Sequence, residues 1–463
     1  MRYRPKTPVI SLGEAFYDPV APAAFPRRVL RYRNDTAAKE VGLDELTSGA
    51  WEEHFARFLP LPANLKEPLA LRYHGHQFGV YNRALGDGRG FLFAQLEDAR
   101  GRLLDLGTKG SGRTPYSRGG DGRLTLKGGV REVLATSMLE ALGVDTSRSF
   151  SLFETYEPLL RGDEPSPTRS SVLVRLSHSH VRFGTFQRLA FEKDAASMRK
   201  LVDYVLEHLL PEAASAKDPI GAMLGETMRR HARTAAQWMV AGFVHGVLNT
   251  DNMNITGESF DYGPWRFLPT YDPAFVAAYF DESGLYAFGR QPGTVLWNLN
   301  RLAEALRTVE PSLAAGGILE GFEGHFVTEV QTAMLRRLGL RSAGPEVDDA
   351  LVAGVFELLE ASKMSFDRFF FDAYGGAPTG EAYAGKEFLP LGRCLEVFEP
   401  RKAAPRDHVY FTRDEPVTMV VDEVERVWGE IAGGDDWGAF GEKVADVEEM
   451  GEAIEPHPPT ASP

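Results

Sequence analysis

The spacing of apolar residues changes character near the middle of the chain. Up to about residue 190 it comes mostly in short strand-like runs. Phe78-Gly79-Val80-Tyr81 and Phe91-Leu92-Phe93-Ala94-Gln95-Leu96 read as strands on either side of the glycine-rich Leu85-Gly86-Asp87-Gly88-Arg89-Gly90. Leu103 to Leu106 and Ser171 to Leu176 read as two more. Helical spacing interrupts them at Glu45 to Leu59 and again from about Gly129. There Val130, Val133, Leu134, Met138 and Leu139 share one face. After Phe191 the pattern is mostly helical. Leu201, Val205, Leu209 and Leu210 form one stripe, and Met223, Met228, Ala235, Trp238, Met239 and Phe243 form another, ending at His245-Gly246. Short strands follow around Met253 to Ile255 and Arg266 to Leu268, then helices over Val295–Val309, Ile318–Leu338 and Val347–Ser362.

A β-rich first half with one central helix, followed by a helical second half, predicts an α+β fold of two lobes with a ligand cleft between them. The expected division is an N-terminal extension over 1–70, an N-lobe over 71–190, a helical C-lobe over 191–400 and an acidic tail over 401–463. The end from Glu455 is expected to be disordered.

Composition narrows the class. The 463 residues are 43% hydrophobic and 25% charged, with no run near the ~20 apolar residues of a membrane span. No apolar segment follows the charged start, so a cytoplasmic location is expected. The single cysteine, Cys394, excludes an internal disulfide and any multi-thiolate metal site. A net charge of −14 argues against extended nucleic-acid binding. Most of it lies beyond Asp414, where 14 acidic residues face 2 basic ones, which reads as a solvated surface segment. The arginines cluster between Arg89 and Arg182, where a small anion has a place to bind.

Three clusters carry candidate chemistry. Gly86, Gly88 and Arg89 could bring backbone amides and charge to a phosphate, although Asp-Gly is also an ordinary hairpin turn. Gly107 to Arg113 and Arg118 to Arg123 then place two glycine- and arginine-rich segments within 17 residues. Clustered arginines repel one another unless an anion lies among them. Lys109 closes a strand and Glu132 stands on the following helix, 23 residues on. This is the kinase arrangement for holding phosphates, with a surface ion pair as the plain alternative. The third cluster, His245-Gly246-Val247-Leu248-Asn249-Thr250-Asp251-Asn252, matches a kinase catalytic loop except that Val247 replaces its aspartate. Asn252 falls on the metal-binding asparagine, and Asp261-Tyr262-Gly263 follows as a D-F-G variant. Valine cannot accept a proton, so Asp251 is the nearest carboxylate for that task. Arg175 and Arg182 flank Ser177-His178-Ser179-His180. The arginines suit phosphate, while the histidines read as a packing feature.

Tyr73 to Gly79, Leu106 to Arg118, His245 to Pro264, Tyr286 to Pro292 and Leu296 to Ala303 together closely resemble the selenoprotein O (SelO/YdiU) family, over roughly residues 8 to 370. The resemblance implies a protein-kinase-like fold that transfers AMP rather than phosphate to protein Ser, Thr or Tyr hydroxyls, with the nucleotide inverted. It further implies that Gly86, Gly88, Arg89, Lys109, Asp121, Gly122, Arg175 and Arg182 contact ATP and that Lys109 pairs with Glu132. Asp251 would accept the proton, and Asn252 and Asp261 would hold Mg²⁺. Mn²⁺ could replace Mg²⁺, and UTP could compete as donor. Expected partners are ATP and hydroxyl-bearing proteins, without nucleic acid or membrane. The chain departs from many members in ending Thr460-Ala461-Ser462-Pro463, without a terminal cysteine or selenocysteine. Redox control through such a residue is therefore not expected. Two rivals stand beside AMP transfer: a residual kinase using Asp251, and an ATP-binding scaffold without catalysis.

Overall fold

The computed structural model describes residues 2–454 apart from 163 and 404, and the disorder expected from Glu455 lies outside the described residues. The fold is α+β. Its centre is an antiparallel sheet in the spatial order Tyr17–Pro19, Leu69–Leu71, Leu92–Glu97, Leu103–Lys109, Ser170–Ser177, Arg148–Glu154, Val29–Arg33. The middle strands are buried on both faces, which is why they read as unbroken apolar runs. On one face Trp51, Phe55 and Phe58 pack against Phe91, Phe93 and Phe150. The indole N–H of Trp51 donates to Ser151 Oγ at 2.9 Å. On the other face the central helix Leu126–Ala141, capped by Thr125, covers Leu152 and Leu173.

The acidic segment is not merely a solvated surface, as its charge implied. It forms the helices Val421–Gly434 and Gly438–Ile454, whose Val424, Val427, Ile431, Phe440, Val447 and Met450 are buried in the same core as Val130 and Leu134. Both helices are amphipathic, so their carboxylates face outward and the charge count conceals an apolar stripe.

The helical half is organised by the 23-residue helix Pro219–Ala241, capped by Asp218 and ended by Gly242 in a left-handed conformation. A Cβ at Gly242 would lie 2.7 Å from the Phe366 ring. Phe243–Val244 then pairs with Arg266–Phe267, and the loop between these two short strands carries His245 through Asp261.

Several local expectations shift. Gly75–Gln77 and Val80–Asn82 form their own hairpin with Phe78 and Gly79 at its turn, where a strand over Phe78–Tyr81 was expected. Leu92–Glu97 pairs with Leu103–Lys109, Leu69–Leu71 and Pro5–Lys6. The glycine-rich segment is therefore a connection between two sheets and not a plain hairpin turn. Around Met253–Ile255 only an isolated bridge forms, between Asn254 and Arg182. The strand Arg148–Glu154 escapes a hydrophobicity reading because its serines are buried and hydrogen-bonded.

Candidate active site

Sheet register sets the first part of the site. Lys109 pairs with Leu173, so Lys109 and Arg175, two residues further on, point to the same face of the sheet. That face looks onto the central helix, where the buried Glu132 accepts a hydrogen bond from the Lys109 ammonium. The loop from the helical half brings Asp261 to the same place. Its Oδ1 lies 2.9 Å from Lys109 Nζ and 3.1 Å from Arg175 Nη1, and its Oδ2 lies 3.2 Å from Arg182 Nη1. Burial alone would raise the pKa of Asp261, but these three cations pull it well below the ordinary carboxylate range. Asp261 holds a left-handed φ of 65°, and His245 Nε2 lies 3.0 Å from the carbonyl of Phe260 just before it. The loop histidine thus positions the aspartate.

Arg182 is the most enclosed cation, only 3% exposed. It donates to the Asp251 carbonyl at 2.9 Å and to Asp87 at 3.2 Å, and lies over the rings of Tyr73 and Phe260. Asp87 is buried, and burial raises its pKa. It also accepts the Leu71 N–H at 3.0 Å, tying the glycine-rich connection to the sheet. Asp251 has a buried Oδ1 with no partner among the described residues. Burial, partly offset by Arg182, pushes its pKa up to about 6.

These groups line a cleft of about 680 Å³. Gly86, Gly88, Arg89, Lys109, Asp121, Gly122, Arg175, Arg182, Asp251 and Asp261 all line it. Gly86 is close-packed, since a Cβ there would lie 2.3 Å from the Tyr116 ring. Asp121 stands at the rim and is held by Arg161 at 2.8 Å. Glu132 sits behind Lys109 and is not a lining residue. Neither is Asn252, whose amide donates to the Val247 carbonyl at 2.8 Å. Ser177-His178-Ser179-His180 is buried, with the His178 N–H donating to Glu258 and the His180 N–H to Asp105.

The cleft contains residues that motif reasoning passed over. Asp87, Tyr73 and Arg161 had no role assigned, although Tyr73 opens one of the family-like stretches and Asp87 lay between two glycines already singled out. Altogether eight arginines and lysines and four aspartates line the cleft, a surplus of four positive charges in a chain of net −14. Arg89, Arg113 and Arg118 are exposed at its mouth with no carboxylate partner among the described residues. Such a site suits a polyanion.

The profile of the family described as Protein adenylyltransferase SelO matches residues 1–376. The chain belongs to the SelO family. A protein nucleotidyltransferase YdiU of Synechocystis sp. is 50% identical over 368 residues, covering 78% of this chain and 77% of the relative. The protein of that name from Gloeobacter violaceus is 46% identical over 449 residues, covering 93% and 92%. The one from Vibrio parahaemolyticus is 37% identical over 378 residues, covering 78% and 74%.

A divalent cation fits the donor set in part. Among the described residues no group of three or more His, Cys, Asp or Glu could hold a metal. The oxygen donors are Asp261, whose Oδ2 accepts one hydrogen bond among the described residues, and Asn252 Oδ1, which has no partner among them but belongs to a residue outside the cleft lining. Two protein oxygens leave the remaining positions to phosphate oxygens and water, as hard cations accept in nucleotide sites. No helix among the described residues is long and apolar enough to cross a membrane.

Proposed function

We propose that this chain is a protein adenylyltransferase, moving AMP from ATP to Ser, Thr or Tyr hydroxyls of acceptor proteins. The observation that carries the reading is the cationic cleft of an acidic chain, with the unpartnered Asp251 carboxylate oxygen at its wall. In this reading the two halves form a bilobal, kinase-like arrangement. The nucleotide lies inverted, with its α-phosphate toward the acceptor.

Each residue then has a task. The backbone at Gly86 and Gly88, with Arg89, approaches the nucleotide, and Asp121 and Gly122 touch it from the facing rim. Lys109, kept in place by Glu132, and the buried Arg175 and Arg182 neutralise phosphate charge in a low-dielectric site, where such charges act strongly. The acceptor hydroxyl gives its proton to Asp251 as its oxygen bonds the α-phosphorus. The bond to the bridging oxygen breaks, and pyrophosphate leaves. Asn252 and Asp261 would hold Mg²⁺, or Mn²⁺ in its place, which when bound supplies further charge neutralisation on the phosphates. UTP is the competing donor, and the expected location is cytoplasmic.

Parallel labelling of protein acceptors with α-³²P-ATP and γ-³²P-ATP tests the reading. Incorporation of the α label with release of labelled pyrophosphate from γ-³²P-ATP is expected. Incorporation of the γ label alone would replace the reading with a residual kinase. Incorporation of neither, with ATP still bound, would leave a scaffold.

A further inference from the structure

Where the acceptor docks is not contained in the nucleotide cleft, and the distribution of exposed apolar side chains points to an answer. Thirteen large hydrophobic residues are exposed among those described. Six of them, Phe78, Val80, Phe191, Tyr279, Phe280 and Trp297, gather around the small hairpin Gly75–Asn82 and the loop facing it. Ring contacts connect five of them in two groups. Phe78 lies 5.9 Å from Phe280, which lies 5.1 Å from Tyr279. His76 lies 5.3 Å from Trp297 and 5.1 Å from Tyr81, which stacks on Phe191 at 5.3 Å. His76 pairs with Tyr81 and Gln77 with Val80, so the Trp297 and Phe191 group lies on the opposite face of the hairpin from Val80, while Phe78 at the turn leads to Phe280 and Tyr279. Exposed apolar side chains grouped at a turn in this way mark an interaction site.

The patch is fixed to the catalytic loop. The His76 N–H donates to Thr250 Oγ1 at 2.7 Å, and the Phe78 N–H donates to Asn249 Oδ1 at 3.1 Å. These are the two residues directly before Asp251. Gly75 permits the approach, because a Cβ there would lie 2.9 Å from Thr250 Oγ1. At the turn Phe78 takes a φ of 49°, a conformation costly for a bulky residue, and remains 37% exposed. Its ring packs on the buried Tyr286 at 5.0 Å and also reaches the exposed Phe280. Next to the hairpin, Arg83 is exposed with no carboxylate partner among the described residues.

We infer that the hairpin Gly75–Asn82 and the Tyr279–Phe280 loop form the acceptor-docking surface. Its occupant is an extended segment of the acceptor protein carrying a large apolar side chain near its hydroxyl residue and an acidic residue toward Arg83. The hairpin backbone is hydrogen-bonded to the two residues before Asp251, where the hydroxyl must be held, and Arg83 at the hairpin's end favours an acidic flank there. This inference rests on the transfer reading for its purpose, but docking can be measured without transfer.

Short fluorescent peptides, each with one Tyr or Ser and differing only at flanking positions (Phe, Leu, Ala, Asp or Lys), provide the probe. Anisotropy with the full chain should show about tenfold tighter binding for Phe or Leu flanks than for Ala, and an added Asp should tighten it further. Val80→Asp and Tyr279→Asp should erase the apolar preference while binding of a fluorescent ATP analogue stays within twofold. Both side chains are mostly exposed, at 70% and 85%, so neither variant threatens folding. Phe280→Ala should act in the same direction. Equal binding of all peptides, or a preference that survives Val80→Asp and Tyr279→Asp, overturns the docking surface. The same peptides incubated with α- and γ-labelled ATP separate the two claims. The expected anisotropy pattern with only γ label incorporated sinks the AMP reading and leaves the docking surface standing.

Discussion

Asp261→Asn isolates the charge at the centre of the site without changing its size. Three cations converge on that carboxylate at 2.9, 3.1 and 3.2 Å. When it is neutralised, Lys109 keeps Glu132 and Arg182 keeps Asp87. Arg175 keeps nothing, since Asp261 is its only carboxylate partner among the described residues and its side chain is buried. Leaving one buried charge uncompensated costs about 3–5 kcal/mol. The substituted amide still offers one carbonyl acceptor, and the Asp261 side chain is 21% exposed. The lower end, about 3 kcal/mol, is therefore expected. Urea denaturation of nucleotide-free protein, followed by fluorescence, reads this loss. Adding ATP without metal should recover part of it, because phosphate oxygens bind the freed guanidinium in the folded state only. The α-³²P labelling of acceptors should be abolished. Wild-type stability in the variant would refute the argument that these charges depend on one another. Labelling near wild type at saturating Mg²⁺ would remove Asp261 from the metal.

Val247→Asp should lower AMP transfer and gain no γ labelling, since an added carboxylate cannot bring a distant γ-phosphate into line. Robust γ transfer in that variant would put the nucleotide in the ordinary kinase orientation. Glu258 is pushed by burial up to about 7. A raised carboxyl pKa means its stabilising contribution is complete below the unfolded value near 4.5 and is lost as pH rises through about 7. Glu258→Gln should thus be more stable than wild type at pH 8, by about 3 kcal/mol, with the difference shrinking toward pH 5 in thermal melts. A pH-independent difference would refute it. Ile431→Ala, in a segment whose charge suggested mere solvation, should cost about 2–4 kcal/mol, because Ile431 is 0% exposed in the main core. An unchanged urea midpoint would mean the two C-terminal helices contribute nothing to that core.

The sequence by itself determined what local spacing encodes. Alternation and helical periodicity mark the middle strands and the central helix, because burial on a sheet face or a helix face repeats every two or three to four residues. The phosphate-friendly glycines, the Lys109 and Glu132 spacing, and the loops around Asp251 and Asp261 are short-range patterns, and family resemblance could be read from them. Tertiary structure decided which charges meet. Arg182 touches Asp87 and Asp261 across 95 and 79 residues of chain, and no spacing rule connects them. It also turned Asn252 toward Val247, made the glycine-rich segment a link between two sheets, and laid the acidic helices on the central helix. The reason is common to all but the Asn252 contact, which spans five residues of one loop. An ion pair or a packed face is stabilised by proximity in space, whatever the distance along the chain, and a one-dimensional count of charge registers the carboxylates of an amphipathic helix but not its buried stripe.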